Sequence, residues 1–157
     1  MAGPSITLYN STHTELVSSW NIGTVQAQVP SAELVVNIWN NKGGGTDVSD
    51  LRECSLAVTD SNGNTATEDV ARDKWIQTNV ASVDGDSTTW TAIGGAVTKP
   101  IRANTGVTDN TIKGTKNDGQ PANSGQNFCT VKLRVVAPIN SKDGAKSFKI
   151  RLTGYYT

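Results

Sequence analysis

Apolar and polar residues take turns along most of the chain, and that period of two predicts strands rather than helices. In SITLYN the alternation puts Ile6 and Leu8 on one side. In LVVNIW, residues 34–39, Leu34, Val36 and Ile38 share one face, and Val35, Asn37 and Trp39 share the other. ECSLAVT turns Cys54, Leu56 and Val58 inward and leaves Glu53 pointing out. TTWTAI is a shorter strand centred on Trp90. AVTKPIRA is interrupted by Pro100, which marks an edge strand because proline brings no N–H to a ladder. CTVKLRV sends Cys129, Val131, Leu133 and Val135 one way and Thr130, Lys132 and Arg134 the other. SFKIRLTGYY does the same with Phe148, Ile150 and Leu152 against Lys149 and Arg151. With the Pro, Asn, Lys and Gly bend between them, the last two strands read as the arms of one closing hairpin.

Turn chemistry separates these runs. DSNGN, residues 60–64, holds an Asn-Gly pair and predicts a hairpin turn. The triple glycine 43–45 reads as a flexible loop, and KNDGQPANSGQN, residues 116–127, as a long polar one. Only EDVARDKWIQTNV, residues 68–80, carries a helical stripe, through Val70, Trp75, Ile76 and Val80, with Thr67 or Asp69 as a cap. A strand containing Trp75 and Ile76 is the rival reading. Short strands at this spacing predict an all-β fold. It is a β-sandwich or jelly-roll-like pair of antiparallel sheets with long polar loops and at most one short helix. Residues 13–157 form the single domain, and residues 1–12 an N-terminal arm able to reach a neighbour and pair with its sheet.

Composition changes this picture little. The 157 residues suit one domain, and 14 basic residues balance 14 acidic ones. No broad field draws the chain to nucleic acid or to a membrane surface. Only 36% of residues are hydrophobic, yet four tryptophans and many β-branched residues argue for a folded, thin core. The opening MAGPSITLYN has no basic-then-apolar leader, and no apolar run approaches the roughly 20 residues a bilayer span needs. A soluble product of cytosolic synthesis is expected. Cys54 and Cys129 each open a strand on its apolar side. They read as buried thiols, with a bridge closing a loop of about 75 residues as the alternative.

Candidate chemistry is sparse. His13, the single histidine, lies in the polar stretch NSTHTE and reads as a solvated loop residue. No serine sits in a nucleophile-elbow context beside it. DSNGNTATED starts like a calcium loop with Asp60, Asn62 and Asn64, but Thr65 and Ala71 stand where Gly and a bidentate Glu belong. Asp84, Asp86, Asp109 and Asp118 could serve a scattered calcium site in sandwich loops. The glycines at 43–45 lack the Lys-Ser/Thr of a phosphate cradle. Asn10-Ser11-Thr12 is a chance match to a glycosylation acceptor. Trp20, Trp39, Trp75 and Trp90 either plug the core or an interface, or stack on sugars or bases. Trp39 and Trp90 are the candidates for glycan stacking or interface contact. Tyr155 and Tyr156 are candidates for an interface, as amphipathic rings at a strand end. Neither catalytic nor metal nor cofactor residues are indicated, and a non-enzymatic binding or structural role is expected.

Two stretches carry a likeness to a known group. "SWNIGTVQAQVPSAELVVNIWNNKGGGTDVSDLRECSLAVTDSNG" and "GTKNDGQPANSGQNFCTVKLRVVAPINSKDGAKSFKIRLTGYYT" cover more than half of the chain. The first has a Trp and a G-x-V ahead of a strand ending in N-N, then a loop, VSD and a strand-turn. The second closes with two strands around a proline-to-glycine bend and an aromatic end. In this the chain resembles small β-rich virion structural proteins of tailed bacteriophages and of phage-like contractile systems. The resemblance implies a capsid decoration or tail/baseplate component, located on the virion. Its partners would be copies of itself and other virion proteins, and contact with a host-surface glycan would suit such a place. It assigns no functional residues. The alternative is a carbohydrate-binding β-sandwich module whose Trp39 and Trp90 stack on sugar rings.

Overall fold

The structure, a computed structural model, describes all 157 residues. Eight strands form two antiparallel sheets. They are β1 (Ile6–Tyr9), β2 (Leu34–Asn40), β3 (Arg52–Thr59), β4 (Ile76–Asn79), β5 (Thr91–Ile93), β6 (Lys99–Pro100), β7 (Phe128–Val135) and β8 (Lys149–Tyr155). The larger sheet has the order β1-β2-β7-β4-β5, the smaller one β6-β3-β8. Their inner rows close one core: Val36 and Ile38 of β2, Cys54, Leu56 and Val58 of β3, and Cys129, Val131, Leu133 and Val135 of β7. Ile150 and Leu152 of β8 pack against it from the side. The all-β sandwich read from the alternation is the fold, and the inner rows of β2, β3, β7 and β8 lie as the pattern places them.

The closing hairpin is not one. β7 lies in the larger sheet between β2 and β4, whereas β8 pairs with β3 in the smaller sheet. The bend between them carries the chain from one layer to the other. Alternation states which side of a strand is buried, and it is silent about which strand lies alongside.

Further expectations change as well. The Asn-Gly turn forms, with the Asp60 carboxylate accepting the N–H groups of Asn62 (2.8 Å) and Asn64 (2.9 Å). No strand returns from it, because β3 takes β6 and β8 as its partners. Residues 68–80 split: a single helical turn, α1 (Asp69–Arg72), buries Val70 and Ala71, and β4 then begins at Ile76. A second single turn, α2 (Ala81–Asp84), closes at Gly85 with φ 77° and was not expected. The N-terminal arm is already folded in: β1 pairs with β2 from Ile6↔Asn40 to Tyr9↔Asn37.

Buried asparagines tie the loops to the end of the larger sheet. Asn40 Nδ2 donates to the carbonyls of Ser49 (3.0 Å) and Ile112 (3.2 Å), and Asn40 Oδ1 accepts the Ser5 N–H (3.0 Å). Asn127 Nδ2 donates to the carbonyls of Lys113 (3.0 Å) and Thr115 (2.8 Å). The glycine run is therefore held rather than loose. Gly43 N–H donates to Asn117 Oδ1 (2.9 Å), and a Cβ on Gly44 would overlap the Asn41 side chain.

Near the smaller sheet's start, Lys99 and Asp84 form an ion pair at 2.5 Å with both side chains over nine-tenths buried. Asp84 also accepts the Val80 N–H (2.9 Å), and Lys99 reaches Thr91 Oγ1 (2.9 Å).

Candidate functional site

The outer face of the larger sheet, which carries Val35, Asn37 and Trp39 of β2, is sealed at one end. Trp39 is fully buried and stacks on its cross-strand partner Phe128, centroids 4.5 Å apart. His13 stands edge-on to both rings, at 5.6 Å from Trp39 and 4.8 Å from Phe128. Its Nδ1 accepts the Trp39 indole N–H at 3.0 Å, and Asn37 Nδ2 donates to the Asn10 carbonyl at 2.8 Å. Residues 10–14 thus form a cover over this face. His13 is not the solvated loop residue expected: it keeps an acceptor on a buried indole, and burial, helped by Lys42, holds its pKa below the ordinary value. Trp39 offers no ring to a glycan. Its odd parity was a real signal, and what it marks is a second, smaller core on the outer face.

Trp90 lies further along the same face, half-buried. The Arg134 guanidinium sits 4.1 Å above its ring, and Arg134 Nε donates to Gln77 Oε1 (2.8 Å). One face of Trp90 is therefore occupied by a cation held in place by its cross-strand neighbour. A sugar stacking there would have to displace it.

Trp20 and Trp75 share the lining of one groove. It is open, of about 980 Å³, and Ile22, Ile139 and Phe148 line it with them. Trp20 meets Phe148 edge-on at 5.7 Å. Lys146, in the 139–148 bend, pairs with Asp69 (2.7 Å) and lies 5.7 Å from the Trp75 ring centre. The Trp75 N–H and the other Asp69 oxygen are buried without partners. Trp75 is otherwise part of the buried core, one of the two readings open to the four tryptophans.

The four sheet edges are treated unequally. β1 is covered by its own chain, through Asn10 N–H to Glu15 O (2.9 Å) and Val17 N–H to Leu8 O (2.9 Å). β5 has three residues. β6 has two, one of them Pro100. β8 has seven residues, and outside its pairing with β3 no backbone group of Lys149–Tyr155 bonds to anything in the chain. Its outward row is Lys149, Arg151, Thr153 and Tyr155, all exposed, and Tyr156 follows, also exposed. The candidate interface tyrosines thus lie at the end of the open edge. Opposite Gly154, β3 carries a bulge at Glu53 and Cys54, with Glu53 at φ 49°. A Cβ on Gly154 would press on the Arg52 carbonyl and on Leu51.

Cys54 and Cys129 are free, buried thiols. Burial pushes Cys54 up to about 11 and Cys129 up to about 12, which disfavours the thiolate of either at neutral pH. Of the aspartates considered for calcium, Asp86 holds Thr88 and Thr89, Asp118 holds Gln120 and Asn123, and Asp84 pairs with Lys99. Comparison with protein-family models, with characterised proteins and with solved structures found no match for this chain.

Proposed function

We propose that this chain is a non-enzymatic structural subunit that assembles in many copies on a phage or phage-like particle, as a capsid decoration or tail/baseplate component. One observation carries the assembly part of this reading. Three sheet edges are covered, short or proline-blocked, and one seven-residue edge is left with its backbone groups free. An open edge is a standing template for another strand, and this one is guarded only by the outward charges of Lys149 and Arg151. The resemblance of residues 19–63 and 114–157 to virion structural proteins supports the particle as the place of assembly.

The carbohydrate-binding reading is the weaker one. It needs Trp39, which is enclosed, and Trp90, which carries Arg134 on one face.

Sedimentation and light scattering over a wide concentration range test the proposal. A subunit of this kind forms discrete oligomers, rings or tubes, or co-sediments with particles produced by its own gene cluster. A strict monomer whose tryptophan fluorescence is quenched by a polysaccharide would replace it with the binding module.

A further inference from the structure

The free edge of β8 is complementary to itself, and the geometry points to a second copy of this chain as its occupant: we propose a two-fold seam in which two β8 strands pair antiparallel about Leu152. The seam rests on the reading of the chain as a multi-copy subunit and names the surface by which two copies meet.

The argument starts from register. Side chains on a strand alternate faces, so a register that mixes odd with even positions sets buried residues against exposed ones. Pairing all seven residues of Lys149–Tyr155 with the same seven of another copy allows a single antiparallel register, centred on Leu152. That register matches odd with odd. Lys149 stands opposite Tyr155 of the second copy, Arg151 opposite Thr153, Ile150 opposite Gly154, and Leu152 opposite Leu152.

Charge agrees with this placement. The two cations of the outward row face a tyrosine and a threonine, and no like charges are set opposite each other. A Lys ammonium beside a Tyr ring is an attractive pair. Centring the pair one residue earlier would set Arg151 against Arg151, which disfavours that neighbour. Centring it one residue later would set only Arg151–Tyr155 against one another and leave Lys149 and Ile150 outside the paired strand. In the Leu152-centred register Ile150 stands opposite Gly154, where Leu51 and the Arg52 carbonyl already fill the place a side chain would take. The result joins two three-stranded sheets into one six-stranded sheet across the two-fold axis. This is an isologous interface, with the same patch on both sides.

Paired single-cysteine variants test the seam. Arg151 and Thr153, the positions changed, are outward-facing and exposed, and the native thiols are buried. Directly opposed positions in an antiparallel pair lie within disulfide reach. Mixed in equal amounts under mild oxidation, R151C and T153C should give severalfold more disulfide-linked dimer than either variant alone. Equal or greater linking by R151C alone or T153C alone overturns the Leu152-centred register. Oligomers of the unmodified protein without any cross-link in the mixture overturn the seam and leave the multi-copy reading standing. A monomer at every concentration, again without cross-links, removes both.

Discussion

The Trp39 indole N–H donates to His13 Nδ1 over 3.0 Å, so a fully buried tryptophan depends on the single histidine staying neutral. A proton on Nδ1 would turn the acceptor into a donor facing another donor. The folded state holds the His13 pKa below its ordinary value, mainly by burial and then through Lys42. In the unfolded chain it titrates near its usual value of about 6.5. The unfolded state therefore binds more protons between the two values, and stability falls as pH drops through that window. Above the unfolded value the full contribution is present. The melting temperature should decline from pH 7 toward pH 5, ahead of any carboxylate effect. His13→Asn, which keeps an acceptor and tolerates the positive φ of 61°, should flatten that decline. An unchanged slope in the variant would break the link.

Removing one half of the Lys99–Asp84 pair leaves a buried charge alone. Asp84→Ala also strips the Val80 N–H of its acceptor. A loss of about 3–5 kcal/mol is expected for Asp84→Ala or Lys99→Met, measured by urea unfolding. The double change Asp84→Asn with Lys99→Met should recover part of it. A double variant as damaged as the sum of the singles would count against charge burial as the cause.

Asn40 and Asn127 act as side-chain donors where the strand ladder ends. Asn127→Asp would aim carboxylate oxygens at the carbonyls of Lys113 and Thr115 and should destabilise by about 2–4 kcal/mol, more than Asn127→Ala. Thermal unfolding of the two variants side by side settles the order.

The two thiols should resist alkylation at pH 8 in the folded protein and react fully once denaturant is added, read as a mass shift for both Cys54 and Cys129. Rapid labelling of either residue without denaturant would show that its part of the core opens.

Trp75 and Trp39 offer a matched comparison. The Trp75 N–H has no partner, whereas that of Trp39 is bonded. Trp75→Phe should thus cost less than Trp39→Phe, since only the latter takes away a made hydrogen bond and leaves His13 Nδ1 without its donor. Equal losses in chemical denaturation would contradict this account.

What the chain disclosed in advance was the direction of each side chain. The inward rows of β2, β3, β7 and β8 follow from alternation, since burial of one face is a local demand that neighbours i and i+2 share. Pro100 marked an edge because a missing N–H is also local. Partner choice was not legible: Lys149–Tyr155 carries the same pattern whether it pairs with β7 or with β3. The open edge of β8 became visible only once the sheet order was known. His13 was missed because a polar neighbourhood, Asn10 to Glu15, disguised a segment that folds back over a sheet face. The one available hint was Trp39 itself, apolar on a face that should have been wet and so in need of a cover.

The order of the strands has a cost in time. Leu34 waits for Leu133 and Arg52 for Tyr155, each about 100 residues further along, a separation that places such chains among slow folders. As the polypeptide leaves the ribosome, the greasy rows of β2 and β3 are exposed until the last fifth of these residues emerges, and neither layer can close before then. Folding must therefore begin late, and chaperone depletion during synthesis would fall more heavily on yield than on the finished molecule.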